Sequence, residues 1–376
     1  MNKYIHKVSV ENRCKFCYAD TMTRIILSGG GTLGSVSPLL ALFEEMQEKI
    51  PHMKCVWVGT ITGPEKKIAE GYGIEYKSIA SGKFRRYFSI QNFLDILQIL
   101  VGFFQSIFFI ISFKPSLVLT AGGFVAVPLV WAAWILRVPI HIHQQDARVG
   151  LANKLMAPFA TLITATFEKN VKYFKNKNVV VTGNPLRKDL ACLDKTEAVD
   201  FFGFSENLPV LLVMGGGTGA LVINKLIADS FDQLIEFCQI IHSTGEGKMI
   251  YLKKNSRYRA YEFLYHMGLS HAYAASDLVI SRAGMSTLTE LAMFAKPAII
   301  IPIPYSHQED NAREFENKNA ARVLHQNDLT PEKFVKIIQE SLQDKNLLKT
   351  FSENIGKMFP NDAAKKATEE IIKIIR

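Results

Sequence analysis

Cysteine is scarce in this 376-residue chain: Cys14, Cys17, Cys55, Cys192 and Cys238 are an odd number and mostly scattered. That excludes a disulfide framework and fits a reducing compartment. Cys14 and Cys17 alone have metal-ligand spacing, and no second pair follows at finger or ribbon distance, so no resident metal is expected. Low-complexity tracts are missing, which removes collagenous and disordered classes. The opening segment MNKYIHKVSVENRCKFCYAD lacks the apolar core of a signal peptide. Residues 1–22 are therefore expected to be an extension, with Met22, directly before a strand-like run, a candidate start. Basic residues are dispersed without a stacking motif or recognition helix, so nucleic acid is not an expected partner. The net charge of +9 suits an anionic small substrate or an anionic membrane surface.

What is present is ordinary globular material, 48% hydrophobic and 21% charged, at a length that favours two domains. Two segments share one design. The apolar run 24–27 leads into Gly29-Gly30-Gly31-Thr32-Leu33-Gly34 and then an amphipathic run from Pro38 to Met46. About half a chain later, the run 210–214 leads into Gly215-Gly216-Gly217-Thr218-Gly219-Ala220 and the apolar run 221–227. Further short apolar runs occupy 55–58, 117–120, 140–143, 162–164, 179–181, 240–242, 278–280 and 298–301. They lack alternation and are separated by helical lengths, the pattern of parallel strands covered on both faces. The expected class is α/β, with two similar parallel-sheet domains meeting near Gly183-Asn184-Pro185 and a last helix over 363–375.

Glycine turns after strands let backbone amides approach an anion at a helix N-terminus. Gly29-x-Gly31-x-x-Gly34 matches the dinucleotide fingerprint formally, but the second strand runs into Gly59-Thr60 without the acid that a nicotinamide cofactor requires. No cofactor is expected. The segment 281–290, SRAGMSTLTE, turns at Gly284 into a helix whose first turn carries Ser286 and Thr287. That N-terminus suits a diphosphate, and Glu290 suits a ribose diol. The polar loop 303–312 follows the run 298–301, at the strand end where open α/β sheets bind ligands.

In order, GGGTLGSVSP (29–38), GGFVAVP (122–128), HQQD (143–146), GNPLR (183–187), GGGTGA (215–220), STGEG (243–247), SDLVISRAGMSTLTE (276–290) and HQEDNA (307–312) resemble the MurG family over most of residues 23–376. The resemblance implies a GT-B fold of two Rossmann-like parallel-sheet domains with an interdomain cleft. It further implies an inverting, metal-independent transfer of N-acetylglucosamine from its UDP ester to lipid I, giving lipid II for peptidoglycan. Residues 23–184 would face acceptor and membrane, 185–358 would hold the UDP-sugar, and 359–376 would pack back on the first domain. Carried over, Arg187 and Gly217 face the donor diphosphate, and Leu264 lies near uracil. Met285, Ser286, Thr287 and Glu290 hold phosphate and ribose, and Gln308 binds the sugar beside His307 and Asn311. Thr32 and Gly34 line the cleft from the other side, where Ser35 and Asp146 also fall. From the strand pattern itself, His141 and His143 alternate onto one side and His143 at the strand's end would reach the cleft, with a hydrogen-bonded structural role preferred to ligation. The implied setting is peripheral, on the cytoplasmic face of a bacterial membrane.

Two positions depart from the family pattern: Ser35 stands where the family has histidine, and Asp146 where it has asparagine. Serine cannot serve as a base at neutral pH, which makes Asp146 the candidate base or orienting carboxylate. Its alternatives are a surface carboxylate or a donor-positioning group. A related transferase with another donor or lipid acceptor, and a catalytically silent sugar-nucleotide-binding scaffold, also stay open.

A membrane face is expected over residues 83–113. Lys83, Arg85 and Arg86 precede an apolar stretch in which Gln91, Asp95, Gln98, Gly102, Gln105 and Ser112 form one narrow polar stripe. The stripe argues against a spanning helix and for one lying in the headgroup boundary, with Phe88, Phe93, Phe103, Phe104 and Phe108 as inserting residues. An interior helix is the alternative.

Overall fold

The computed structural model describes residues 22–31, 33–82, 90–175, 177–188, 190, 193–216, 219–250 and 252–375, with backbone alone at 33, 90–94 and 266. The extension with Cys14 and Cys17, and also Thr32, Lys83, Arg85, Arg86, Phe88, Cys192 and Gly217, lie outside the described residues. In the first half the strands are β1 (Arg24–Ser28), β2 (Lys54–Gly59), β3 (Glu75–Ser78), β4 (Leu117–Thr120), β5 (Ile140–Gln144), β6 (Leu162–Ala165) and β7 (Val179–Val181). Between them run helices α1 (Ser37–Lys49), α2 (Glu65–Gly71), α3 (Ile90–Phe113), α4 (Ala126–Ile135) and α5 (Leu151–Met156). The second half carries β8 (Val210–Met214), β9 (Gln239–Ser243), β10 (Tyr258–Tyr261), β11 (Leu278–Ser281), β12 (Ala298–Ile300) and β13 (Arg322–Val323). Its helices are α6 (Lys195–Phe201), α7 (Leu221–Asp229), α8 (Phe231–Phe237), α9 (His266–Ala275), α10 (Met285–Met293) and α11 (His307–Asn317), then α12 (Pro331–Gln343), α13 (Lys345–Ile355) and α14 (Ala363–Ile372).

Two all-parallel sheets result, ordered β3-β2-β1-β4-β5-β6-β7 and β10-β9-β8-β11-β12-β13. Both are doubly wound, and each reverses its strand order beside the strand that carries a glycine turn, β1 or β8. The apolar runs explain this. Ile25, Leu27 and Leu119 pack on one face against α1, while Ile26, Val118 and Ile142 pack on the other against α4, all nearly inaccessible. Each such side chain contributes about 1.5–3 kcal/mol on burial. The strands missing from the sequence reading, β3, β10 and β13, all lie at sheet edges.

The chain crosses between the two lobes at two adjacent places. Gly183 has φ +82°, and a Cβ there would press on the Pro360 ring, so the outgoing and returning segments touch. Phe359 wedges between Phe167 and Phe315, with ring centroids 5.7 and 5.8 Å away. After this return, Ala367 and Ile371 of α14 join the apolar cluster of α1, and Glu369 lies 3.5 Å from Lys49.

Candidate active site

Loops at the carboxyl ends of the two sheets meet, which is where such sheets bind ligands. After β5, the turn 145–148 is staked from below: Gln144 donates to the Asp146 carbonyl at 2.7 Å, Asn153 donates to Gln144, and Asn170 reaches the carbonyls of Asp146 and Ala147. From the other lobe, the fully buried Asn311 of α11 uses both ends of its amide. Its Nδ2 donates to Asp146 Oδ1 (2.9 Å) and to the Ala283 carbonyl (3.1 Å), and its Oδ1 accepts from the Ala147 N–H (2.8 Å). Gln308, one turn earlier, accepts from the amides of Ala283 and Ile303. Flanking ion pairs, Arg148 with Asp310 and Lys169 with Glu314, brace the same junction. The structure therefore brings Asp146, Asn311 and Gln308 together around residue 283.

Asp146 keeps about a quarter of its side chain exposed, and the His307 ring lies 3.9 Å away. Partial burial raises the carboxyl above the ordinary value, against the opposing pull of His307 and the Asn311 amide. A carboxyl held in this way is a candidate proton acceptor.

A second bridge runs through the imidazoles. His141 donates from Nε2 to Thr164 Oγ1 (2.8 Å), and that hydroxyl donates to His143 Nδ1 (2.9 Å). His143 Nε2 donates to Asn184 Oδ1 (2.9 Å), Asn184 donates to Thr289 (2.8 Å) in the other lobe, and Thr289 closes on the Met285 carbonyl. The direction follows from Asn184, whose Nδ2 is committed to Thr289, leaving its oxygen to accept. Burial lowers both histidines, His143 to about 4, so the rings are neutral. The expectation that His143 reaches the cleft is corrected: both ring nitrogens are occupied and the residue is fully buried, so it supports the junction from beneath.

The donor side is assembled on α10. Its N-terminus at Gly284 carries no side-chain cap, and the buried Ser286 hydroxyl has no hydrogen-bond partner among the described residues. Buried Glu290 accepts at Oε2 from the Tyr273 hydroxyl (2.8 Å). Burial and Glu290 push that phenol well up, while the charge of Arg187 pulls it down, which puts Arg187 in the same neighbourhood. Met285, Thr287 and Leu264 are buried, the last in the core of the second lobe. At the glycine turn after β8, a Cβ at Gly216 would meet open space, whereas one at Gly219 (φ +70°) would strike the Thr244 carbonyl. Gly34 is half-buried, and Ser35 turns inward with its hydroxyl unpartnered among the described residues.

Sequence reasoning missed Tyr273, Asn184 and Glu65. Tyr273 and Asn184 stand in apolar or turn contexts and gain their roles from partners 17 and 105 residues away. The membrane-face residues divide. Along α3, Asp95, Gly102, Ser106 and Ile110 face the protein, with Gln105 accepting from the Ala80 amide. Phe104 and Phe108 face out, 57% and 72% exposed, with Ile96, Leu100, Val101 and Ile111. Phe103 is corrected: it is half-buried against the α4 cluster and meets Phe104 edge-on at 5.5 Å. The interior-helix alternative fails, because 17% of the apolar window Asp95–Phe113 is buried. That window is long and apolar enough to cross a membrane by length and composition.

Comparison with known proteins follows the same division into halves. Residues 25–165 match the glycosyltransferase family 28 N-terminal domain, and residues 210–367 match the family 28 C-terminal domain. A Clostridium botulinum protein named "UDP-N-acetylglucosamine--N-acetylmuramyl-(pentapeptide) pyrophosphoryl-undecaprenol N-acetylglucosamine transferase" is 36% identical over 357 residues, 94% of this chain and 99% of its own. A Lachnoclostridium phytofermentans protein of the same name is 36% identical over 350 residues, 92% and 97% of the two chains. Among solved structures, Acinetobacter baumannii MurG superposes with TM-score 0.71 at 24% identity over 93% of this chain and 99% of its own. The calicheamicin glycosyltransferase CalG4 gives 0.68 at 12% over 94% and 98%. These superpositions establish the GT-B fold. Identity over nearly the whole length, together with both family 28 domains, establishes that the chain belongs to the MurG family of glycosyltransferases.

Proposed function

We propose that this protein transfers N-acetylglucosamine from UDP-N-acetylglucosamine to the muramyl sugar of lipid I, giving lipid II, at the cytoplasmic face of the bacterial membrane. The observation that carries the proposal is the donor wall on α10: an uncapped helix N-terminus with the buried Ser286 hydroxyl, one turn before Glu290. That wall suits a nucleoside diphosphate, whose negative charge grows as it leaves. In this reading residues 185–358 hold the donor. Arg187 and Gly217 face the diphosphate, Met285, Ser286, Thr287 and Glu290 hold phosphate and ribose, Leu264 lies on the base side, and Gln308 takes the sugar. The acceptor enters against residues 23–184, where Thr32 and Gly34 line the gap and Asp146 takes the proton of the attacking hydroxyl. Attack in line with the departing diphosphate inverts the anomeric carbon. Purified protein given radiolabelled UDP-N-acetylglucosamine and a lipid I analogue should release UDP and form labelled lipid II, with UDP-glucose a poor donor. UDP-sugar binding without transfer to lipid I overturns the reading.

Membrane contact is part of the proposal. Helix α3 is about 36 Å long at 1.5 Å per residue. One face is fastened along the lobe: Gly102 lies so close to the Ala80 carbonyl that a Cβ would overlap it. A helix fixed sideways on its domain, with its apolar face outward beside exposed Trp134 and Ile135 of α4, suits immersion in the boundary of an anionic leaflet rather than spanning. Phe104→Asp with Phe108→Asp should weaken flotation on anionic vesicles by about two to four orders of magnitude, since each exposed phenylalanine contributes about 1.5–3 kcal/mol on burial. UDP-sugar binding should stay unchanged. Equal flotation of variant and wild type removes the face.

A further inference from the structure

A carboxylate sits beneath the first glycine loop. Glu65, the first residue of α2, is fully buried. Its Oε2 accepts from the Gly31 N–H (3.2 Å), and its Oε1 accepts from the Thr60 N–H (2.8 Å), the Thr60 hydroxyl (2.5 Å) and the Tyr76 hydroxyl (3.3 Å). The single Tyr76 proton is shared, with its shorter bond running to the Thr60 carbonyl, and burial and Glu65 together push the phenol up. The glycines fit this group closely. A Cβ at Gly30 would overlap the Glu65 carboxylate, and one at Gly31, where φ is +79°, would overlap the Phe124 ring. From the strand side, Trp57 Nε1 donates to the Gly29 carbonyl at 3.0 Å. At the second loop, by contrast, Gly216 opens onto space.

Resting on the transferase reading above, we propose that Glu65 is the positioning residue of the first glycine loop. Its carboxylate takes the Gly31 amide and packs under Gly30, and so holds this end of the loop in place for the acceptor. An internal anion fills the cradle, so the loop's glycines serve close packing around Glu65 and Phe124. Helix α2 is too short to act through its own terminus; the effect passes through side-chain oxygens.

Glu65→Gln keeps the shape but turns one acceptor into a donor facing the Gly31 N–H, and Tyr76→Phe removes one donor without touching the loop. For Glu65→Gln, kcat/KM for the lipid acceptor should fall about ten- to hundredfold, the worth of a charge-assisted hydrogen bond. UDP-N-acetylglucosamine affinity by calorimetry should stay within about twofold. Tyr76→Phe should show a smaller loss of the same kind. Hydrogen exchange in the peptide spanning 29–36 should quicken in Glu65→Gln, a readout independent of turnover. Unchanged exchange, or equal losses toward donor and acceptor, overturns the proposal. Failure of the wild type to transfer sugar defeats the transferase reading instead, while the exchange result still decides whether Glu65 holds the loop.

Discussion

Replacing Glu290 with alanine should lower kcat/KM for the UDP-sugar by about two to three orders of magnitude, the largest loss expected from one side chain on the donor wall. A ribose diol presents two hydroxyls, and each bond to a carboxylate is worth about 1.5–3 kcal/mol when the group is desolvated. Glu290 is desolvated, and Tyr273 holds one of its oxygens at 2.8 Å, so the carboxylate is oriented before the nucleotide arrives. The alanine variant also strands the Tyr273 hydroxyl inside the lobe, which costs about 1–3 kcal/mol of stability. That structural penalty has to be separated from the binding loss. A donor lacking the ribose 2′-hydroxyl does so: wild type should discriminate strongly against it, and Glu290→Ala should not. Glu290→Gln retains one acceptor and should lose about tenfold. Tyr273→Phe should raise KM with kcat little changed, because it loosens orientation without removing the carboxylate. Equal discrimination against the deoxy donor by wild type and Glu290→Ala would remove the ribose from this wall.

The central strands were legible because a strand buried on both faces reads as an unbroken apolar run; Ile25, Ile26 and Leu27 send side chains into two different clusters. Edge strands carry no such mark. β3 is Glu-Tyr-Lys-Ser with one face in water, and β13 is two residues long. The donor wall was legible for a different reason: SRAGMSTLTE places its hydroxyls and acid at helical spacing next to a turn, so chemistry and geometry share one segment. Asn184, Tyr273 and Glu65 are invisible locally, since each is defined by a distant partner that only the fold supplies. The glycine loops read as turns from the sequence, while part of what demands glycine there is visible only in the fold. The glycines of the first loop close around a carboxylate of the same chain, a packing demand that the motif does not display. Ser35 and Asp146 looked like partners in one loss and gain at the chemistry. In the fold Ser35 is buried with its hydroxyl close to Gly29, and Asp146 belongs to the junction with Asn311.

Asp146→Asn should stabilise the fold at neutral pH and abolish most of the turnover. The two effects have one origin. The folded protein holds the Asp146 carboxyl above its ordinary value of 3.8 through desolvation, so the folded state binds this proton more tightly than the unfolded chain does. Below the ordinary value both states are protonated and nothing is lost. As pH rises through the window between the unfolded and the raised folded value, the unfolded chain ionises first and stability falls; above it the penalty is at full size. Asparagine removes the charge and keeps an oxygen to accept from Asn311 Nδ2, giving up only a weak, exposed interaction with His307. Thermal unfolding at pH 8 should therefore shift upward in the variant, and the difference from wild type should close as the pH is lowered below 4. For catalysis the sign is opposite. A base works as the carboxylate, so wild-type kcat should rise with pH through the same raised value, and the variant should lose that limb together with about two to four orders of magnitude in kcat. Donor affinity should hold, because asparagine preserves the clasp on which Gln308 and Asn311 are mounted. A variant that gains stability and keeps its kcat would make Asp146 a clasp between the lobes and move the base elsewhere.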